Sequence, residues 1–331
     1  MGRRKQAGVA LLAVLWLTVA LSAMALATSY LVRTEVEAAT NRIEGEQMRF
    51  LAAGGIEAAV DSILRATIFR SQAVVEGRER PEFALGQRWL AYEFPGGQCV
   101  VEVVPENAKL NVNQSPSERL AALFRALGVP AIESADLALA IADWRSGRMS
   151  DAGNVFDAYY ATLPEPYRAR HAPLEQLEEL LPVKGMSREL FFGRIERSAA
   201  GEWTRKPPLA DLLTAAPTAG GINLNYAARE VLEALPGWDE ASAARVVELR
   251  EQTPFETGAN LGDIVPESAQ TTVTTVPAPF YTLTATCMHP DSRARRSVRA
   301  LVEITGTQTT GHRVLGWWDD WPFAKELPAG S

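Results

Sequence analysis

The sequence predicts an α+β fold in which a long N-terminal helix packs on a small antiparallel sheet, with a large all-helical insertion between the two hairpins of that sheet. Three observations predict it. Proline is absent from Met1 to Arg80, although the chain contains 20 prolines. Two pairs of short apolar segments, each joined by turn residues, lie within 89–104 and 280–304. Helical patterns dominate the residues between these two pairs.

The composition limits the class of protein. The chain has 331 residues, which predicts two domains, and 47% hydrophobic with 22% charged residues is typical of a globular protein. A net charge of −7 excludes a basic nucleic-acid binder, and two cysteines exclude a disulfide scaffold or a zinc ribbon. The sequence contains no phosphate-loop, nucleophile-elbow or HExxH motif, so we expect a protein without enzymatic activity.

The N-terminal segment predicts a membrane anchor. No charged residue occurs from Gln6 to Val32, and residues 3–5 before this run are all basic. About 20 apolar residues in a helix cross the ~30 Å hydrocarbon core of a bilayer. Basic residues hold the preceding end in the cytoplasm. We therefore expect a single-pass membrane protein whose remaining chain lies outside the cytoplasm, in an oxidising compartment if the cell is a Gram-negative bacterium.

Three interpretations of this segment differ in what is cleaved. A secretory signal would be cut after Ala25-Leu26-Ala27, a signal anchor would be retained whole, and a pilin-like leader would be cut after Gly8. The pattern over 33–68 continues an amphipathic helix directly from the apolar run, which favours retention of that run. We therefore predict a leader over 1–8 and a membrane helix over 9–32, with Gly8 and Val9 as the processing residues.

The two hairpins predict how the domains are arranged. Residues 33–106 and 265–331 would form a pilin-like α/β domain, interrupted by a helical insertion over 107–264. Cys99 and Cys287 fall on strands of different hairpins. They would form a disulfide if these strands are neighbours, and otherwise they are two buried thiols.

The insertion contains a weak internal repeat of the helix-hairpin-helix (SAM-like) type. The segments KLNVN and GINLN each precede a helical pattern, and their asparagines suit either turn chemistry or a ligand site. The second copy continues through Leu235-Pro236-Gly237 into a further helix, as in proteins that hold DNA phosphates. Residues 222–264 carry three basic against eight acidic side chains, which favours protein contact over nucleic acid. The alternative hypothesis is a membrane-anchored DNA receptor of the competence type.

Two further segments leave their role open. Asp143, Asp151, Asn154 and Asp157 could form a calcium site or a solvated turn, and two arginines nearby would oppose a cation. The C-terminal tail carries three tryptophans that suit either a contact patch or a satellite of the core. They are Trp317, Trp318 and Trp321.

Six stretches along the chain carry a resemblance to a known family: RRKQAGVALLAVLWL, LAAGGIEAAV, KLNVN, IADWRSG, PYRARHAPLEQLEELLPVKGMSRELF and GGINLNYAAREVLEALPGW. By their order and spacing the chain resembles, along nearly its whole length, type II secretion system protein K, a minor pseudopilin. Pilins carry a glutamate five residues after the cut, where this chain has Ala13. The family commonly lacks that glutamate, so Ala13 agrees with the resemblance.

The resemblance implies a function. Prepilin peptidase would cut between Gly8 and Val9 and methylate Val9. The protein would cap the periplasmic pseudopilus tip with minor pseudopilins I and J, and so support export of folded proteins across the outer membrane. Contact with the secretin stays open. The family binds calcium in the insertion. Here Asp143 and Asp157 match that pattern best, and no metal is assigned.

Overall fold

The computed structural model describes residues 4–71, 83–147, 154–197, 203–205, 207–218, 220–259, 261–305 and 311–321. The helices are α1 Arg4–Ser71, α2 Ser117–Ala126, α3 Ala131–Arg145, α4 Asp157–Ala161, α5 Arg188–Phe192, α6 Arg229–Glu233 and α7 Glu240–Gln252. The strands are β1 Trp89–Phe94, β2 Gly97–Pro105, β3 Leu110–Asn111, β4 Ile195–Arg197, β5 Trp203–Arg205, β6 Leu213–Thr214, β7 Ile222–Asn223, β8 Val273–Thr274, β9 Phe280–Met288, β10 Arg295–Ile304 and β11 His312–Trp318. The predicted α+β fold is confirmed.

Helix α1 is one continuous helix of 68 residues. At 1.5 Å per residue it is about 100 Å long, so its N-terminal half extends beyond the folded domain. The C-terminal half packs on the sheet through a buried face that repeats every three or four residues. That face consists of Met48, Ala52, Ile56, Ala59, Val60, Ile63 and Ala66. Gly55 lies directly over the sheet, where an added Cβ would be 3.5 Å from the Cβ atoms of Cys99 and Ala285.

The main sheet has the strand order β1-β2-β9-β10-β11, and its neighbouring strands are all antiparallel. Both predicted hairpins are present as β1–β2 and β9–β10. Strands β2 and β9 are central neighbours, although the whole insertion separates them in sequence. The insertion therefore leaves the sheet from β2 and returns to it at β9.

The two predicted hairpins supply four strands of this sheet, and β11 adds a fifth strand at the edge. It pairs with β10 across a bulge between Leu301 and Val302. Trp317 and Trp318, taken from sequence as parts of a tail, belong to this strand.

The insertion differs from the all-helical expectation in its small strand pairs. β3 pairs in parallel with β6, β7 pairs in parallel with β8, and β4 pairs antiparallel with β5. The pair β7–β8 continues the packing of the insertion beyond residue 265. Val265 and Ala269 are buried in the core of the insertion, and β8 closes it. Its packing therefore extends to Thr274, close to the start of β9.

Candidate functional site

The N-terminal half of α1 is a candidate membrane anchor. Its residues from Ala10 to Ile43 are exposed, and the helix contains an 18-residue window with a mean hydropathy of 2.3. Such a length and composition suffice to cross a bilayer. Gly8 and Val9 lie inside the first turns of this helix. Their cleavage stays a prediction at this point.

A second apolar face of α1 continues outside the membrane segment. Val36, Ile43 and Phe50 recur at intervals of seven residues, and Ile43 and Phe50 are 59% and 65% exposed. In a helix this spacing places them on one face. Met48 and Ala52, which pack on the sheet, point to the opposite side. The outer face therefore offers an apolar stripe to other helices, and we call Val36, Ile43 and Phe50 the α1 stripe.

The structure joins Cys99 and Cys287 in a disulfide. The two residues are directly opposite in the register of β2 and β9, with their Cα atoms 4.1 Å apart. Both are fully buried beneath α1. The bond links the last strand before the insertion to the first strand after it, across 188 residues of sequence.

The asparagines of the KLNVN segment form a turn. Oδ1 of Asn111 accepts hydrogen bonds from the backbone N–H groups of Asn113 and Gln114, at 2.9 and 3.2 Å. The side chain of Asn113 both donates to and accepts from the backbone of Leu174, at 2.8 Å in each case. The side chain of Asn111 therefore fixes the turn, and the side chain of Asn113 attaches the turn to the later segment at Leu174.

The GINLN segment repeats this arrangement. Oδ1 of Asn223 accepts from the N–H of Asn225 at 3.0 Å. The side chain of Asn225 pairs with the backbone of Phe255 in both directions, at 2.8 and 2.9 Å. Each copy therefore uses its first asparagine within the turn and its second to bind a later segment. Turn chemistry, one of the two interpretations from sequence, describes both copies.

In each copy an arginine of the second helix donates hydrogen bonds to carbonyl groups of the turn. We call this the closing role, and it was not predicted from the sequence. Arg145, the last residue of α3, donates hydrogen bonds to the carbonyl oxygens of Val112 and Ser115. These acceptors lie one and four residues after the first asparagine of that copy. The guanidinium therefore supplies donors to carbonyls of the turn that precedes α2, and burial lowers its pKa.

Arg250 of α7 makes the same contacts in the second copy. It donates to the carbonyl oxygens of Leu224 and Ala227, at 2.8 and 2.6 Å. These acceptors are again one and four residues after the first asparagine. Burial lowers the pKa of Arg250 to about 10, with a smaller contribution from the positive charge of Arg88. The match of turn, helix and arginine shows that the insertion is built from two equivalent units.

We expect Arg250→Met to destabilise the protein by about 2–4 kcal/mol. The change leaves two largely buried carbonyl groups without their charged donor, and each such bond contributes about 1.5–3 kcal/mol at most. The free energy of unfolding, measured by urea denaturation, checks this. Arg245→Met is the control, because Arg245 is exposed on the same helix and its loss is expected to cost less than about 0.5 kcal/mol. Equal effects of the two substitutions would contradict the closing role.

After α3 the first copy contains an additional segment, which includes the acidic loop. Nε2 of His171 is 2.8 Å from Oδ1 of Asp157, and its Nδ1 is 3.2 Å from Nδ2 of Asn154. A neutral imidazole with its proton on Nε2 satisfies both contacts. Asp143 completes a group whose ligand atoms lie within 4.8 Å of one another. Asp151 lies outside the described residues.

The described side chains of this loop do not by themselves complete a calcium site. One observation favours a cation, since Oδ2 of Asp143 is buried without a hydrogen-bond partner in the described part of the chain. Calcium, however, requires six to eight oxygen ligands. The described residues bring together two carboxylates and one imidazole, and the imidazole is already bonded to Asp157. We therefore assign no calcium to this loop.

The helix-hairpin-helix turn of the second copy packs on its own chain. Gly237 has φ of +80°, and a Cβ at this position would lie 2.2 Å from Oγ of Ser268. That hydroxyl donates to the carbonyl of Pro236 at 3.1 Å. The side chain of Asp239 caps α7 by accepting from the N–H of Ser242 at 2.8 Å. A phosphate at the N-terminus of α7 would be repelled by this carboxylate, which argues against a DNA-binding turn.

The C-terminal tryptophans connect the sheet to the insertion. Arg299 of β10 donates to Asp211 at 2.7 Å and lies 3.7 Å from the ring centroid of Trp321. Nε1 of Trp318 donates to Glu178 at 3.1 Å. Trp321 also packs against the core of the insertion. Of the two interpretations from sequence, Trp318 and Trp321 agree with a satellite of the core.

A membrane-length helix that packs on an antiparallel sheet, with a helical insertion between the two central strands, defines a pilin-like subunit with an added domain. Residues 100–192 match the model of the first domain of type II secretion system (T2SS) protein K. A chain in the crystal structure of the GspK-GspI-GspJ complex of enterotoxigenic Escherichia coli matches with a TM-score of 0.56 and 18% identity. The match covers 84% of this chain and 97% of that chain, and shows a shared fold. No curated protein gives a significant match. The predicted resemblance to protein K of the type II secretion system is confirmed.

Proposed function

We propose that the protein is a minor pseudopilin that caps the periplasmic pseudopilus tip with minor pseudopilins I and J. In this role it supports the export of folded proteins across the outer membrane and has no catalytic activity. One observation carries the proposal: α1 has an apolar stripe outside the membrane segment that the chain itself leaves exposed. Exposed apolar faces of this kind mark contacts with other subunits.

The insertion supports a position at the tip. Both ends of the insertion are connected to neighbouring strands inside the sheet, so the insertion is an integral part of the subunit. Its core contains elements from α2 to β8, which makes it bulky beside the small sheet. A subunit in the shaft packs against neighbours above and below it, and an insertion of this size would obstruct that packing. A subunit at the tip packs only against the neighbours below it.

Maturation belongs to the same proposal. Prepilin peptidase would cut between Gly8 and Val9, methylate Val9 and leave α1 in the inner membrane with the sheet and insertion in the periplasm. The apolar side chain of Ala13 suits this position, because an unpaired carboxylate in an apolar helix bundle would be costly. A subunit at the tip has no neighbour above it whose N-terminal ammonium would need such a carboxylate.

We expect Ile43→Glu to abolish co-purification of the full chain with pseudopilins I and J. The change places a charge in the α1 stripe, where burial against other helices would leave it unpaired. The amounts of I and J retained by a tagged chain after membrane solubilisation measure this. Asn41→Glu is the control, because it adds the same charge at an exposed residue well away from the stripe around the helix. Retention of both partners by Ile43→Glu would contradict the proposed assembly.

A further inference from the structure

Three side chains that can bind a metal ion meet beside the end of α3. Asp143 lies near the C-terminus of α3, Asp157 is the first residue of α4, and His171 belongs to the segment that follows α4. One ligand atom of each residue lies within 4.8 Å of those of the other two. Because 14 residues separate each of the three from the next, the fold rather than the local sequence brings them together.

The carboxylate of Asp143 has an oxygen whose charge the described chain does not satisfy. Oδ2 of Asp143 is buried and accepts no hydrogen bond from the residues that the structure describes. A buried carboxylate oxygen without a donor or a cation is costly, and such atoms are uncommon in folded proteins. A cation bound by Asp143 together with the two neighbouring ligands would compensate this cost.

The imidazole of His171 is held by contacts on both ring nitrogens. Nε2 lies 2.8 Å from Oδ1 of Asp157. Nδ1 lies 3.2 Å from Nδ2 of Asn154 and 3.4 Å from the carbonyl oxygen of Asp143. A histidine that binds a metal through one nitrogen usually donates the other N–H to a carboxylate or a backbone carbonyl. Acceptors of both kinds are therefore already in contact with this ring.

The charges of this group favour a cation. It combines two carboxylates with one imidazole. From the sequence we expected arginines to oppose a cation here, but Arg145 uses its guanidinium to donate to carbonyls of the turn before α2. Lys184, from a later segment, pairs with Asp136. These two basic side chains are therefore engaged elsewhere.

The kinds of ligand atom indicate the class of ion. Calcium takes oxygen ligands, whereas an imidazole nitrogen suits zinc and other divalent transition metals. Zinc is bound at several sites by three protein ligands and one water molecule in a tetrahedron. Two carboxylates and one imidazole supply three such ligands, and water can supply the fourth. The group therefore suits a zinc-type ion better than a calcium ion.

We propose that Asp143, Asp157 and His171 bind a divalent transition-metal ion such as Zn²⁺. This ion differs from the calcium that the resemblance implies, because a ring nitrogen is one of the ligands. The ion would connect the end of α3, the start of α4 and the segment that leads to Leu174, whose backbone is bonded to Asn113. It would thereby stabilise the additional segment of the first copy. The inference does not depend on the assembly proposed above, because binding is measured on the isolated chain.

His171→Asn tests the proposal in the full chain, purified in detergent and freed of metal with a chelator. His171 has φ of +52°, and asparagine tolerates this left-handed conformation, so the variant is expected to fold. The probes are Zn²⁺ alone and Ca²⁺ alone, and competition with a coloured chelator measures both affinities. We expect the unaltered chain to bind Zn²⁺ at least about tenfold more tightly than Ca²⁺. His171→Asn is expected to weaken Zn²⁺ binding by roughly tenfold or more.

His312→Asn is the matched control. His312 also faces a carboxylate, with Nε2 3.8 Å from Oε2 of Glu57, but it does not belong to the group of three. This variant is expected to bind Zn²⁺ as the unaltered chain does. Asp143→Asn is a second test, because it keeps the size of the side chain and removes its charge. It is expected to weaken Zn²⁺ binding by roughly tenfold or more.

Thermal unfolding with and without Zn²⁺ gives an independent measurement. Zn²⁺ is expected to raise the unfolding temperature of the unaltered chain and of His312→Asn, but not that of His171→Asn, since a ligand of the folded state stabilises it. Circular dichroism verifies that the variants are folded. Equal affinity of the unaltered chain and His171→Asn for Zn²⁺ would overturn the proposal. Tighter binding of Ca²⁺ than of Zn²⁺, or binding of neither ion, would also overturn it.

Discussion

Gly8→Leu is expected to leave the protein uncleaved, so that the chain purified from its native membrane still begins with the basic leader. Gly8 would be the last residue of that leader, and a branched side chain at the cut site would exclude it from the peptidase. Residues 3–5 stay attached to the apolar run in this variant and add three positive charges at the end of α1. An end with these charges cannot be buried among other helices without a large cost. Loss of secretion is expected together with loss of cleavage.

Intact mass with N-terminal sequencing measures the outcome for the unaltered chain and for the variant. The unaltered chain is expected to begin at N-methylated Val9. Gly54→Leu is a suitable control, because Gly54 also lies in α1 and a Cβ there would meet nothing within 4 Å. A Gly8→Leu chain that still begins at Val9 would refute the predicted cut. A chain that begins near Thr28 would show that the apolar run is discarded, and the pseudopilin proposal would then be wrong.

Removal of the Cys99–Cys287 disulfide is expected to lower the free energy of unfolding by about 4–5 kcal/mol. The bond closes a loop of 188 residues, and the chain-entropy model assigns stabilisation of this size to loops of such length. In its absence the unfolded chain gains the freedom of the whole insertion. The packing of α1 on the central strands would then require β2 and β9 to pair without a covalent link.

Cys99→Ala, Cys287→Ala and the double variant separate the bond from the packing of its sulfur atoms. If the bond accounts for the effect, each single variant loses nearly as much stability as the double variant, since either change removes the same link. Urea denaturation of the three chains measures this. Two single effects that add up to the double effect would contradict the prediction, because they would indicate independent packing contributions.

The sequence predicted the elements that depend on local pattern. Helix α1 follows from an uninterrupted stretch without proline and from an apolar face that recurs every three or four residues. The hairpins β1–β2 and β9–β10 follow from short apolar segments on both sides of turn residues. In each case the information lies within about ten neighbouring residues, so the order of residues is sufficient.

Partners that are distant in sequence were harder to predict. The closing roles of Arg145 and Arg250 depend on carbonyl groups 23 to 33 residues away. Two arginines in acidic helices gave no pattern that separates them from solvated charges. A comparison of the two repeats by the last arginine of the second helix in each, 34 residues after Asn111 and 27 after Asn223, could have identified them. The contact of His171 with the acidic loop was missed for a related reason, since His171 joins the loop from 14 residues beyond Asp157.

By itself the sequence determined the membrane-length helix, the two hairpins, the repeated insertion and the resemblance to protein K of the type II secretion system. Only the tertiary structure decided that β11 completes the sheet, that the insertion extends to Thr274, and that α1 keeps an exposed apolar face. The physical reason is that periodicity states which residues of an element are apolar, whereas the packing of all other elements decides which of those residues are buried. The apolar residues of α1 that remain exposed after packing form the surface that we propose for contact with other subunits.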